Sequence, residues 1–343
     1  MNYFKTIVFL SLFATNTVRS EIVAVNMSSE PKTVIKFATL APEGTTWTKI
    51  LKQFSQEVQS RTQLRVTFKI YTGGVQGDEK DVIRKIKTAQ LNASGFTGFG
   101  LGEIAKELRV LDAPFLFKNT DEIDHIYSKF NDEFSKILEE KGFILLGWAE
   151  IGDVYIVSKN EIKSPQDLAK SKLWVWEGDE IALKTFETFG VKPIPLSISD
   201  VMTSIQTGMI NTVYATPATI IPLGWHNNMN YILDMPITYA SGAVLLSKAT
   251  FEKLKEEDKK ILIEAAKKHF SKLNKSARED NKKGLEILKN KLKVVKPQDV
   301  KIFEDLAAKA RENLKNYYGN KLIEKIEKEL SNYRNAKKSN NKN

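Results

Sequence analysis

Residues 164–217 read SPQDLAKSKLWVWEGDEIALKTFETFGVKPIPLSISDVMTSIQTGMINTVYATP. The stretch alternates short helices with short strands. SPQDLAK is a capped helical turn, with Pro165 at a first position where its missing N–H is no loss. LWVW then reads as a strand, whose side chains alternate between faces. Lys172, Trp174 and Trp176 share one face, and Leu173, Val175 and Glu177 share the other. Residues 181–189 form a helix that stops at Gly190. Residues 199–208 form another, capped by Ser199 and closed by Gly208. Two tryptophans on one face of a short strand need a large space to fill.

The same alternation extends outward. Residues 33–40 read as a strand, and Trp47, Ile50, Leu51, Phe54 and Val58 then fall at helical spacing. Val66, Phe68 and Ile70 alternate as in a strand, Val82, Ile83 and Ile86 mark a helix, and FILLGWA at 143–149 is a buried-strand pattern. This order persists to about residue 240 and predicts α/β domains with mainly parallel sheets. Beyond Phe251 the pattern is helical, apart from LKVVK at 292–296. There is no internal repeat and no Gly/Ser linker, so two domains, if present, are not joined like beads on a string.

The chain has 343 residues, enough for two domains and a sizeable core. Lys5 followed by a short apolar run at 6–14 and a cleavage-like Val18-Arg19-Ser20 predicts a removable secretory leader over residues 1–20. That run is too short to span a bilayer. There is no cysteine, which excludes disulfides, thiol chemistry and a cysteine-linked lipid. An exported, cysteine-free chain rich in lysine and asparagine points to a bacterial periplasm.

The net charge of +10 raises a nucleic-acid reading. Residues 251–343 hold 26 Lys and Arg against 15 Asp and Glu, and the remainder holds 26 against 27. The excess therefore sits on long mixed-charge helical segments and on the Asn/Lys-rich end, where Tyr333 is the lone aromatic after residue 332. A single-strand groove interleaves several aromatic rings with its charges. A solvated helix face with a frayed tail over 333–343 is the expectation, with no nucleic acid as partner.

Several chemistries are missing. GFTGFGLGE at 95–103 places Glu103 where a dinucleotide loop needs its third glycine, so the match fails. A flexible loop beside a cleft is the expectation there. His125, His226 and His269 lack metal-ligand spacing; His125 and His269 read as surface residues, while His226 in GWHNN is a candidate to face a ligand. No metal, cofactor or catalytic residue is assigned, and no Gly-x-Ser-x-Gly elbow occurs.

At 164–217 the motifs become specific. A short helix, a strand, a helix ending in Phe189-Gly190, the Pro193–Leu196 stretch, Gln206-Thr207-Gly208 and then Pro217 occur in one order. This resembles the DctP-type extracytoplasmic solute-binding proteins of TRAP transporters. YTGGVQGDEKDVIRKIKTAQLNASGFTG and LDAPFLF are similar to the family's first-domain segments, and the resemblance covers roughly residues 33–330. It implies a bilobed α/β periplasmic-binding fold that catches a small organic solute and hands it to TRAP membrane subunits, with no catalysis. Lobe one is expected over 33–152 plus 240–275, lobe two over 153–239, and C-terminal helices across both over 276–332.

The resemblance also implies a site, with one departure. The resemblance implies that most members hold a carboxylate with an arginine on the strand after the short helix, and Trp174 stands there. An Arg–carboxylate pair is directional and charge-assisted. Tryptophan offers one N–H and an apolar face instead, and burying ~200 Å² of ring contributes up to about 5 kcal/mol. Trp174, Trp176, Trp225, Tyr214, Thr216, Tyr155, Gln76 and Phe96 are the expected ligand contacts. Glu177 and Asp179 add negative charge nearby. The implied solute is neutral, apolar or cationic rather than a simple dicarboxylate. A further periplasmic partner is left open. The alternatives are a basic exported surface or nucleic-acid-binding protein, and an exported enzyme on a binding-protein fold.

Overall fold

The computed structural model describes residues 32–340. The expected leader at 1–20 and the last residues of the expected tail, 341–343, lie outside the described residues. Two five-stranded sheets organise the chain. The first runs in the order β2-β1-β3-β11-β4, from β1 (Thr33–Ala38), β2 (Val66–Tyr71), β3 (Ala93–Thr97), β4 (Phe143–Trp148) and β11 (Gly242–Ser247). The second is built on β5 (Gly152–Ser158), which pairs with β8 (Thr212–Ala215), β9 (Tyr231–Leu233) and β10 (Thr238–Ala240); β12 (Lys293–Val295) extends it beyond β9. A separate parallel pair, β6 (Trp174–Trp176) and β7 (Ile194–Leu196), adjoins β8 through a bridge from Leu173 to Thr212.

The sheets are mixed, which corrects the expectation of mainly parallel ones. β1 is parallel to β2 and β3, but β11 is antiparallel to β3 and β4, and β5 is antiparallel to β8, β9 and β10. The cause is the crossing between sheets. The chain leaves along β4–β5 and returns along β10–β11, and these two runs pair with each other. Between the sheets the ladder continues, with the Ala149 N–H donating to the Gly242 carbonyl and the Ile151 N–H to the Ala240 carbonyl. Gly242 is needed there, because a Cβ would lie 2.4 Å from the Ala149 carbonyl oxygen.

The helices are α1 (Thr46–Arg61), α2 (Glu79–Lys87), α3 (Gly98–Ile104), α4 (Thr120–Glu140), α5 (Pro165–Ala169) and α6 (Glu180–Thr188), followed by α7 (Val201–Thr207), α8 (Pro217–Ile220), α9 (Lys248–Glu252), α10 (Glu256–Lys291), α11 (Val300–Tyr318) and α12 (Asn320–Asn340). Ser164 and Asp167 form a reciprocal capping box on α5. Ser199 does not cap α7: it lies in a 3₁₀ turn, Ile198–Asp200, and its hydroxyl meets Ser197 at 2.5 Å. Gly208 closes α7 in the left-handed conformation, as expected.

The apolar stripe of α1 packs on the first sheet together with α10. Phe54 is fully buried there, with the rings of Phe68 and Phe270 at 5.4 and 5.0 Å. Removing such a ring costs about 3–5 kcal/mol. Two of the helices near the chain end, α10 and α11, serve both sheets. Phe270 of α10 lies in the core of the first sheet and Leu288 in that of the second. Phe303 of α11 packs with the second, and Leu314 and Tyr318 with the first. Their length follows: a helix rises ~1.5 Å per residue, so only long ones reach across.

The expected tail is corrected over 333–340, where α12 continues. Arg334 donates to both oxygens of Glu122 and to the Leu116 carbonyl, and Tyr333 stacks on His125 at 4.3 Å. These contacts with α4 and with the segment before it give the chain there partners that a solvated tail would lack.

Candidate functional site

A cavity of about 790 Å³ opens between the two sheets. Ligand pockets for small organic molecules span roughly 300–1,000 Å³. The tryptophan face of β6 looks into it. The Trp174 ring lies 5.6 Å from Tyr214 in a stacked pair and 5.4 Å from Trp225 edge-on, and its indole N–H donates to the Leu196 carbonyl at 3.0 Å. β8 brings Tyr214 and a short 3₁₀ turn, Trp225–Asn228, brings Trp225. Thr216 lines the same wall with its hydroxyl on Thr219 at 3.0 Å. Phe96, on β3, lines the opposite wall.

Trp174 is only 3% exposed. Most of its ring is already covered by protein, so a solute buries its rim and not the ~200 Å² of a whole ring. The aromatic cluster therefore acts as one wall, in which Tyr214 and Trp225 hold Trp174 in place.

Two expected contacts do not line the cavity. On β5 the cavity-facing residues are Val154 and Ile156. Strand alternation turns Tyr155 the other way, into the core of the second sheet, where it is 8% exposed. Gln76 is tied to α2 instead, because Lys85 Nζ donates to its carbonyl at 2.8 Å and to its side chain at 3.2 Å. His226 is buried outside the cavity wall, with Nε2 3.3 Å from Lys291 Nζ. His269 is buried, not a surface group, with Nε2 2.9 Å from Glu57. Glu177 is exposed. The glycines at 95–103 belong to β3 and α3 rather than to a flexible loop. A Cβ on Gly98 would overlap Asp112, and one on Gly102 would lie 2.5 Å from Arg109 Cγ.

Those glycines make room for Glu79, Arg109 and Asp112, charged groups that pattern reading missed. Among the described residues, six carboxylates line the cavity (Asp78, Glu79, Asp112, Glu150, Asp179 and Asp280) with three cations, Lys49, Arg109 and Lys283. Lys49 and Lys283 are exposed, and Arg109 is 6% exposed. Arg109 sits in a 3₁₀ segment, Lys106–Asp112, within LRVLDAPFLF; a lone arginine in so apolar a run was the available signal. Its Nη2 donates to Asp179 at 2.9 Å, and its Nε lies 3.6 Å from Asp112. Burial works against its charge, but Asp179 and Asp112 outweigh that and raise its pKa.

Asp78, Glu79, Asp112, Glu150 and Asp179 each accept hydrogen bonds from within the protein. Asp112 accepts from the Ser241 N–H and hydroxyl, and burial pushes its pKa up. Glu79 accepts from the Thr97 N–H and hydroxyl and the Gly100 N–H. Burial pushes it up to about 7, partly offset by those donors. Glu150 is held by Arg278 and by the Tyr239 hydroxyl. Burial also pushes the Tyr214 hydroxyl well up, so it stays protonated. The arrangement offers the rims of Trp174 and Trp225, the half-buried rings of Tyr214 and Trp176, and a buried cation, Arg109, with one donor taken by Asp179. Among the described residues no group of three or more His, Asp or Glu is placed to hold a metal, and no helix is long and apolar enough to cross a membrane.

Comparison with known proteins agrees with this two-sheet arrangement. A solute-binding protein of Chromohalobacter salexigens is 27% identical over 220 residues, which cover 64% of this chain and 65% of that protein. A TRAP periplasmic solute-binding protein of Polaromonas sp. JS666, solved with D-erythronate, is 23% identical with a TM-score of 0.80, covering 86% of this chain and 98% of that one. The sugar acid binding protein DctPAm of Advenella mimigardefordensis, solved with galactonate, is 21% identical with a TM-score of 0.83, covering 88% and 99%. These likenesses show the bilobed fold of TRAP periplasmic solute-binding proteins. The model of the bacterial extracellular solute-binding protein family 7 matches residues 37–325, and the chain belongs to that family, the DctP family.

Proposed function

We propose that this chain is exported to the periplasm, captures a neutral, apolar or cationic organic solute between its two sheets, and delivers it to the membrane subunits of a TRAP transporter without chemical change. The observation that carries the choice of solute is the wall itself. Trp174, Tyr214 and Trp225 form a ring cluster where the family resemblance implies an arginine, and Arg109, the buried cation on the wall, is already faced by Asp179 and Asp112. A buried carboxylate left without its cation costs about 3–5 kcal/mol. A cation over the rings gains instead, by about 0.5–2 kcal/mol.

The acidic solutes of the Polaromonas and Advenella proteins support a second reading, a sugar acid. Arg109 on the cavity wall favours it. Calorimetry decides between the two. The protein is titrated with galactonate and D-erythronate, with galactitol and erythritol, and with uncharged and cationic ring compounds. Binding of a ring compound with rejection of both acids is the expected result. Tight binding of either acid contradicts it.

A further inference from the structure

We infer that Asp179 is a specificity residue that masks an anion site built around Arg109; the inference rests on the non-anionic solute just proposed. Arg109 is the only arginine among the described residues that line the cavity. Its aliphatic stem is fixed, because it runs over Gly102, where any Cβ would lie 2.5 Å from Cγ and 2.6 Å from Cδ. The guanidinium therefore stands in one place on the wall.

An arginine presents Nε and Nη2 along one edge of its planar fork, the edge that matches both oxygens of a carboxylate. That edge is half occupied here. Asp179 Oδ2 accepts from Nη2 at 2.9 Å, while Asp179 Oδ1 is turned away to accept from the Ala182 N–H at 3.0 Å, capping α6. Among the described residues Nε has no hydrogen-bond partner, although the side chain is buried. Asp112 Oδ2 lies 3.6 Å from it, too far for a hydrogen bond. Asp112 is held back by Ser241, whose N–H and hydroxyl both bind its Oδ1. One cation thus faces two carboxylates, and a third brought by a solute would meet net negative charge. Removing the charge of Asp179 leaves the arginine with one carboxylate and an open bidentate edge.

The test uses Asp179→Asn and Asp179→Ser, both of which keep a side-chain oxygen able to cap α6. Calorimetry measures galactonate and D-erythronate on the unmodified protein, on each variant and on Arg109→Met/Asp179→Asn. Circular dichroism and a cooperative thermal transition confirm folding. The expected result is that the unmodified protein rejects both acids, that one or both single variants bind at least one acid about tenfold or more tighter, and that the double variant loses the gain. Folded single variants that still reject both acids overturn the masking alone, as does a gain that survives loss of Arg109. Tight binding of either acid by the unmodified protein overturns both the masking and the proposed solute class.

Discussion

The indole N–H of Trp176 donates to Asp78 Oδ2 at 2.8 Å, and its ring lies 5.1 Å from Phe99, nearly parallel. Trp176 belongs to β6, beside the second sheet, whereas Asp78 caps α2 and Phe99 lies on α3, beside the first. The contact therefore ties one side of the cavity to the other. Trp176→Phe keeps a ring and removes the donor. A hydrogen bond to a charged group contributes about 1.5–3 kcal/mol, so solute dissociation should speed up about tenfold or more. Stopped-flow fluorescence measures this, and an unchanged dissociation rate refutes the tie.

Closure should also be visible as a change in shape. The paired crossing of β4–β5 and β10–β11, together with α10 and α11, joins the two sheets, and a hinge would act there. Small-angle scattering with saturating solute is expected to give a smaller radius of gyration than without it. Equal radii despite confirmed binding would mean that the cleft does not close.

Trp174 links the rings to affinity. Its removal leaves a hole between Tyr214 and Trp225, so both partners loosen. Trp174→Ala is expected to weaken solute binding by about 2 kcal/mol or more, the scale of a central aromatic contact, and to lower the melting temperature. Trp174→Phe should lose less of each. Trp174→Arg should lower affinity for the native solute and admit a carboxylate. Calorimetry on the variants checks each step, and unchanged binding by Trp174→Ala rejects the aromatic wall as the main contact.

One ion-pair cluster gives a pH signature. Hydrogen bonds from Lys268 and His269 hold the Glu57 carboxyl at about 2, below its ordinary 4.5. Folding thus favours its ionised form. Its contribution to stability is complete above about 4.5 and is lost as pH falls toward 2. Glu57→Gln should have a lower melting temperature than the unmodified protein at pH 6, with the gap closing as the pH is taken down to 2.5. A gap independent of pH would contradict the assignment.

How far the sequence revealed this molecule can be seen from particular residues. Period and caps carried the capped helix α5, the stop at Gly208 and the face shared by Trp174 and Trp176, because each depends on neighbours within a turn or a strand. Strand direction was misread, since β11 and β5 owe theirs to a pairing made more than eighty residues apart. Tyr155 was misplaced by one strand position, which reverses its face. Arg109 and Asp179 stayed hidden as a pair because they are 70 residues apart in the chain. No local pattern marks an ion pair that only folding assembles. The 333–340 segment looked like a tail by composition, and Arg334 with Glu122 shows why composition misled.

The measurement that bears most directly on the central claim is native mass spectrometry of the full chain purified from the periplasm of cells that export it, followed by identification of the released solute. The expected result is a one-to-one complex with a small organic molecule that carries no carboxylate, either neutral or cationic. A bound sugar acid or dicarboxylate would contradict it.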